Sequence, residues 1–449
     1  MSSSQSSQSS IKKLAIRGTV WTVLSYGASQ IIRFGNNLIL TRLLVPELFG
    51  LVTLGQVFIT GLHLFSDVGL GVSVIQSKRG DEPVFLNTAW TIQVIRGGAI
   101  WLGCLLLAYP VAQAYNEPRL LWLIPVLGLN TVISGFNSSS LFTLNRHLAI
   151  KQLAIYELTG QVIASVVMIT WAWFSPTVWA LAVGGLAASI FQIIWSYRLN
   201  HWKLNTFTWN RVIVKEILTF GVWIFLSTAM TFLAEQADRL ILGKLLTLEL
   251  LGIYGIALTF ADIPRAVTMA VSGKVIMPAV AKIADLPRFE IRAKLLKARR
   301  WVLIGLAASV AGLAAFGDLI IKTLYDQRYV QAAWMLPILA IGIWPRLLCN
   351  TNEPALFAIG KPQYTAAANL SRFLCTAVGI FIGYALFGLP GAVVGVALND
   401  LFYYFVVNYG LWREGLGGVR QDILSTLLLM VILAAFVAVR YSLGFGVSI

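Results

Sequence analysis

Six basic residues stand inside long apolar stretches of this chain: Arg33, Arg96, Arg265, Lys274, Arg346 and Arg372. A charged side chain at the centre of an apolar span costs at least about 2.5 to 3.5 kcal/mol, so each needs a partner, a cavity or a task. Guanidinium groups match phosphate oxygens in a bidentate fork, which makes anion binding the chemistry these residues suit. Apolar sequence extends to both sides of Arg33, Arg96, Arg346 and Arg372, whereas Arg265 and Lys274 stand near the helix-breaking Pro264 and Pro278. For any one of them the structural alternative is a brace to a carbonyl or carboxylate, or a side chain snorkelling to the interface.

Acids share these stretches: Asp67, Glu157, Glu235, Asp238, Asp262, Glu353 and Asp400. Such carboxylates either pair with a cation or serve as proton or sodium sites. Asp400, Asp67, Glu157 and Asp262 are the ion-coupling candidates, Asp400 foremost because no basic residue lies near it along the chain. Glu235, Asp238 and Arg239 fall within about one helical turn and can satisfy one another. Amides at Gln30, Asn36, Asn37, Asn130, Asn137, Asn145, Gln161, Asn350 and Asn352, with Tyr26, Trp90, Tyr156 and Trp344, could hold and stack on sugars. The competing role is to link helices and to line the membrane interfaces. His63, His147 and His201 are isolated, and Cys104, Cys349 and Cys375 show no CxxC spacing, so neither a metal site nor a cofactor is expected.

The elements that must position these groups follow from composition. The chain has 449 residues, 58% hydrophobic and only 12% charged, against about 25% charged in a soluble domain. Runs of 18 or more apolar residues recur throughout, each able to cross the roughly 30 Å hydrocarbon core. Thirteen are read, from 16–40 to 422–445, predicting an all-α, polytopic membrane protein with 12 to 14 transmembrane helices. Residues 1–11 (MSSSQSSQSSI) read as a disordered polar tail. The polar connections are too short to fold as a catalytic domain, and no Gly-rich phosphate loop, DxD, HExxH or GxSxG occurs in a suitable context, which argues against an enzyme. The net charge of +15 is dispersed over short loops, which favours an anionic lipid surface over nucleic acid as the partner. Loop lysines and arginines fall mostly on the side of the N-terminus, placing that end in the cytoplasm. The densest basic run, KIADLPRFEIRAKLLKARR (282–300), is expected to be either an interfacial helix or a solvated loop.

One segment recurs. Thr41-Arg42-Leu43-Leu44 followed by Glu47, Gly50 and Phe58 returns as Gly243-Lys244-Leu245-Leu246 followed by Glu249, Gly252 and Phe260, with one constant spacing between the copies. An even number of helices between them gives both halves the same orientation, related by a pseudo-two-fold along the membrane normal. The expected organisation is an N-terminal six-helix lobe (12–200), a cytoplasmic linker (201–214), a C-terminal six-helix lobe (215–412) and an additional transmembrane helix (420–446).

The stretches LTRLLVPELFGLVTLGQVFITGLHLFSDVGLGVSVIQ, ADRLILGKLLTLELLGIYGIALTFADIP, GKVIMPAVAKI and AIGKPQY resemble the polysaccharide transporter family of oligosaccharide flippases, within the multidrug/oligosaccharidyl-lipid/polysaccharide (MOP) exporter superfamily. The resemblance covers about residues 12–412. It implies two six-helix lobes around a central cavity, alternating access, and an isoprenoid-pyrophosphate-linked oligosaccharide moved from the cytoplasmic to the outer leaflet of the inner (plasma) membrane. A cationic cavity between the lobes, drawing on Arg33, Arg96, Arg346, Arg372 and Lys274, would suit that anion. Membrane lipids, a coupling H+ or Na+, and polymerase and chain-length regulator proteins are the partners such a role implies. A multidrug or cation antiporter and a peptidoglycan-precursor flippase are the alternatives on the same scaffold.

Overall fold

A residue before proline is pushed out of the helical region of backbone space, and proline itself suits the first position of a helix. Val45 accordingly sits at φ −79°, ψ 151° in front of Pro46, ending one helix (α1, Ser2–Leu43) and starting the next (α2, Pro46–Phe65). The repeated segment makes the same break without a proline. There α9 (Arg211–Leu245) gives way to α10 (Leu248–Ala261) at Thr247, φ −68°, ψ 155°, whose hydroxyl accepts from the Leu250 amide at 3.3 Å as an N-cap. Glu47 and Glu249 occupy the first turns of the two new helices, where a negative charge opposes the helix dipole favourably. The computed structural model describes residues 2–147, 149–199, 204–272, 276, 280 and 286–446.

The chain divides into two compact units, Met1–Ala229 and Met230–Ile449. The division falls inside α9. In the first unit α1 and α2 are followed by α3 (Leu70–Gln76), α4 (Pro83–Ala114), α5 (Leu120–Gly135), α6 (Ser140–Arg146), α7 (Ile150–Phe174) and α8 (Trp179–Leu199). Helix α1 takes in residues 2–11, which the sequence marks as a tail. The second unit continues from α10 into α11 (Ile263–Val271), α12 (Arg288–Leu324), α13 (Ala332–Gly342), α14 (Trp344–Ala358), α15 (Gln363–Arg413) and α16 (Val419–Ser442).

Corresponding helices pack alike in the two units. Helix α4 lies on α5 and α5 on α2; in the second unit α12 lies on α13 and α13 on α10. One aromatic contact is copied with them. Phe58 and Tyr115 meet edge to face with ring centres 5.9 Å apart and planes at 77°, and Phe260 and Tyr325 do so at 5.9 Å and 79°.

Helix α15, 51 residues long, is two limbs folded at Gly388, whose φ of 61° and ψ of −142° no helix contains. The fold lies between the helices expected at 364–387 and 390–411. Gly379 and Gly383 on one limb face Gly395 and Gly391 on the other so closely that a Cβ on Gly383 would lie 2.1 Å from the Gly391 carbonyl oxygen. Small residues four apart on both faces let the limbs touch backbone to backbone. Asn399 Nδ2 then donates across the gap to Thr376 Oγ1 at 2.9 Å.

Among the described residues, eight helices are long and apolar enough to cross a membrane, or up to ten if each bent pair is one span. That is fewer than the thirteen expected. The folded α15 is a single member of the eight, and α1 and α9 are outside them; α9 carries Glu235, Asp238, Arg239 and Lys244 in its second half. The bent pairs are α5 with α6, at 69°, and α10 with α11, at 47°.

The basic run ending at Arg300 is helical rather than a loop over its described part. Residues 288–300 are the opening turns of α12, a single helix of 37 residues. Ile291 and Leu295 form a buried stripe at helical spacing against Leu356, Tyr403, Val407 and Leu411, while Arg288, Arg292, Lys294, Lys297 and Arg300 remain exposed. Apolar spacing within a charged run is what permits both faces.

Candidate functional site

The span formed by α13 and α14 is 72% buried, against 11% for the most apolar window of α16, which marks α13–α14 as the central rod of the second unit. Polar groups on such a rod face protein on every side. Proline removes one helical N–H, and Pro354 on α14 leaves the Asn350 carbonyl without its usual donor; the buried Ser272 hydroxyl supplies the missing hydrogen bond.

Arg346, only 7% exposed, rises from this rod. Its guanidinium carbon lies 3.6 Å from the centre of the Tyr403 ring, a close cation–π contact, and the Tyr403 hydroxyl donates to Glu353 Oε1 at 2.7 Å. The Nε and Nη1 atoms of Arg346 have no hydrogen-bond partner among the described residues, nor do the side-chain amide atoms of Asn350 and Asn352 or Oδ1 of Asn369. Each buried polar group left so costs about 1 to 3 kcal/mol. Arg346 and Asn350, one helical turn apart on α14, thus offer donors and acceptors that a hydrogen-bonding ligand or water would satisfy.

Charges on neighbouring helices are matched more fully. Arg372 Nε lies 2.8 Å from Asp400 Oδ1 across the two limbs of α15, a charge contact whose N–H is not aimed at the oxygen. Asp400, chosen for coupling because it lacked a partner nearby in sequence, therefore has one on the facing limb. At the α10–α11 bend Arg265 grips both oxygens of Asp262, at 2.5 and 2.8 Å, and reaches Glu235 at 3.2 Å. Asp238 accepts from the Tyr254 hydroxyl at 2.5 Å, and Arg239 donates to Gln236 at 2.8 Å. Glu235, Asp238 and Arg239 thus turn mainly to other residues rather than to each other.

The first unit gathers a second cluster where α2 ends. Arg96 Nε bonds Ser66 Oγ at 3.1 Å and Nη2 bonds the His63 carbonyl at 2.7 Å, closing the exposed C-terminus of α2. Asp67 lies 4.0 Å from Arg96 and accepts from the Gly69 amide at 3.0 Å. Arg96 is therefore a brace that also bears a charge. Arg33 and Glu157 are exposed on α1 and α7, with no ion-pair partner among the described residues. Lys274 lies outside the described residues.

The aromatic platforms expected for sugars are mostly packed away. Trp90, 3% exposed, sits between Phe136 and Phe207 at 6.2 and 4.9 Å, and Trp344 donates to Thr426 at 2.9 Å. Amides join helices as the alternative proposes: Gln161 on α7 both accepts from Ser29 Oγ on α1, at 2.8 Å, and donates to the Ser29 carbonyl, at 3.1 Å. Sequence reasoning missed Arg299, Asp422, Asp318 and Arg440, all almost fully buried and ion-paired. Helical apolar spacing around Arg299 was the available signal.

Outside the spans, the loop after α4 holds one more charged knot. Arg119 binds Glu117 through Nε at 2.7 Å and Nη2 at 2.8 Å, and also Glu47 at the head of α2. Arg119 holds the Glu117 carboxyl below the usual carboxylate range. No three His, Cys, Asp or Glu among the described residues gather closely enough to hold a metal ion.

Residues 39–334 match the family described as polysaccharide biosynthesis protein. The chain belongs to that family. Its relatives include the lipopolysaccharide biosynthesis protein WzxC of Escherichia coli (strain K12), 23% identical over 97% of this chain and 88% of that protein. The succinoglycan biosynthesis transport protein ExoT of Rhizobium meliloti (strain 1021) is 21% identical over 88% of this chain and 78% of its own. Among solved structures, the lipid II flippase MurJ in an inward closed conformation superposes with a TM-score of 0.69 at 13% identity, covering 94% of this chain and 99% of that one. A multidrug resistance MATE family transporter of the MOP superfamily, inward-facing, gives 0.67 at 13% identity, over 89% and 95%. The family member described here is a multi-pass helical protein by its apolar spans, with the fold those transporters share.

Proposed function

We propose that this protein is a flippase that carries an isoprenoid-pyrophosphate-linked oligosaccharide from the cytoplasmic to the outer leaflet by alternating access, for polysaccharide export. The single observation that supports it most is the buried Arg346 guanidinium, with Nε and Nη1 unpartnered among the described residues and the Asn350 amide, one helical turn along α14, unpartnered as well. An anionic or hydroxyl-rich ligand suits that set of donors and acceptors. The kinship with WzxC and ExoT, both named for polysaccharide pathways, points the same way. The body has two six-helix halves and a thirteenth helix, with the N-terminus in the cytoplasm. Thirteen passes require α1 and α9, outside the eight apolar spans, to cross as well, and the two limbs of α15 to cross separately.

The test is complementation in a strain lacking this gene, with polymer export and membrane level of the protein measured together. Arg346→Ala is expected to lower export at least about tenfold at unchanged protein level, and Arg346→Lys to retain part of it, since lysine keeps the charge and loses the fork. Full export by Arg346→Ala and by Arg372→Ala would remove the substrate role. Purified protein in liposomes holding a fluorescent isoprenoid-pyrophosphate sugar separates direct translocation from an indirect effect on polymer assembly.

A further inference from the structure

Helices α12 and α16 lie side by side and share two buried ion pairs of opposite sense. Near the start of both, Arg299 of α12 stands 2.8 Å from Asp422 of α16, with side chains 0% and 1% exposed. Near their ends the signs are exchanged: Asp318 of α12 is gripped by Arg440 of α16, Nη2 to Oδ2 at 2.7 Å with a second contact from Nη1 to Oδ1. Early residue pairs with early and late with late, so the helices run parallel. At 1.5 Å per residue, Arg299 to Asp318 and Asp422 to Arg440 are each about 27 to 29 Å long, close to the roughly 30 Å hydrocarbon thickness of a bilayer.

Both pairs are supported by further bonds. Arg299 donates to the Leu348 carbonyl at 3.1 Å and to Thr351 Oγ1 at 3.2 Å, both on α14, and Tyr404 donates to Asp422 at 3.0 Å. Arg440 donates to the carbonyls of Ala315 and Gly446, and Lys322 reaches Asp318 at 3.4 Å. Between its charged ends α16 is apolar, with Ile423, Leu424, Leu427, Met430 and Val431 exposed as a lipid-facing surface would be.

We propose that α16 crosses the whole membrane parallel to α12, and that the two opposed ion pairs are the device that fixes its direction and register. Antiparallel docking would set Arg299 beside Arg440 and Asp318 beside Asp422, two like-charge contacts in a medium that screens them poorly. Sliding α16 by one turn, about 5.4 Å, would break both pairs at once. The end of α15 and the end of α16 then lie on opposite faces of the membrane.

Two measurements on the full chain test this. In a background with Cys104, Cys349 and Cys375 replaced by alanine, cysteines placed singly at Arg413 and Ser442 are probed in intact cells and in permeabilised cells with a membrane-impermeant maleimide. Labelling of one in intact cells and of the other only after permeabilisation is expected; labelling of both from the same side overturns the span. Separately, Asp318→Arg and Arg440→Asp are each expected to lower the amount of folded protein at least about fivefold, because either leaves like charges buried together. The double exchange Asp318→Arg with Arg440→Asp is expected to restore it to within about twofold. A double variant no better than either single one overturns the pair as the orienting device, and the maleimide result remains readable in the unexchanged chain.

Discussion

Glycines in the folded α15 offer the sharpest residue-scale forecast. Gly383→Ala would drive a methyl into the Gly391 carbonyl, since an added Cβ lies 2.1 Å from it. Overpacking of this kind costs about 1 to 3 kcal/mol, so thermal unfolding in detergent should begin several degrees lower, whereas Gly305→Ala, with nothing within 4 Å, should leave it unchanged. Equal behaviour of the two variants would mean that the limbs are not in backbone contact. At this scale the sequence was legible for which residues are unusual and poorly legible for their company. Arg346 and Arg372 were picked out by their apolar surroundings, and both are indeed buried or nearly so. The partnership of Asp400 with Arg372 was not visible, because it depends on how two limbs of a hairpin come together. Arg299 was hidden differently, counted among loop charges although a helical stripe carries it inward.

Proline-marked breaks set what the helices can offer. Pro354 frees the Asn350 carbonyl, which the Ser272 hydroxyl then satisfies. Ser272→Ala should therefore cost about 1 to 3 kcal/mol through an unpartnered buried carbonyl, read as a lower unfolding midpoint, while Ser272→Thr, which keeps the hydroxyl, should stay near the native value. The Thr247 N-cap that opens α10 went unread, whereas the two limbs of α15 were legible from the Gly388-Leu389-Pro390 sequence. The continuity of α12 was less so. Charges at 288–300 mimic a loop or a surface helix, and only packing against Tyr403 and Val407 shows that the run is the head of a span. A helix of 37 residues is about 55 Å long, so its first turns stand clear of the hydrocarbon.

The two halves of the chain repeat a physical arrangement with little shared sequence. The Phe58–Tyr115 and Phe260–Tyr325 contacts have the same separation and nearly the same angle, and edge-to-face pairs couple by about 0.5 to 1.5 kcal/mol. Double-mutant cycles to alanine should give coupling energies within about 0.5 kcal/mol of each other; coupling at one pair and none at the other would count against structural equivalence. The repeat was readable because the turn into the second helix keeps its basic residue, acid and glycine in register, whereas Tyr115 and Tyr325 come after connections of different length and escape any fixed spacing. Acid should reach the molecule first at its rim. The carboxyl of Glu117 is lower in the folded protein than in the unfolded chain, so its stabilisation is complete above the ordinary carboxylate range and is lost as pH falls through the folded value. Glu117→Gln should flatten the acid side of the unfolding profile by a fraction of a degree to a few degrees, a small effect because Arg119 is 44% exposed. The crossed pairs of α12 and α16 carry a last implication, for genetics. A premature stop codon at the short connection after Arg413 would not merely shorten the product: it would take Asp422 from the buried Arg299 and leave Asp318 with Lys322 alone. Nonsense alleles at that connection should therefore behave as nulls, cleared by membrane proteolysis, rather than as mild truncations.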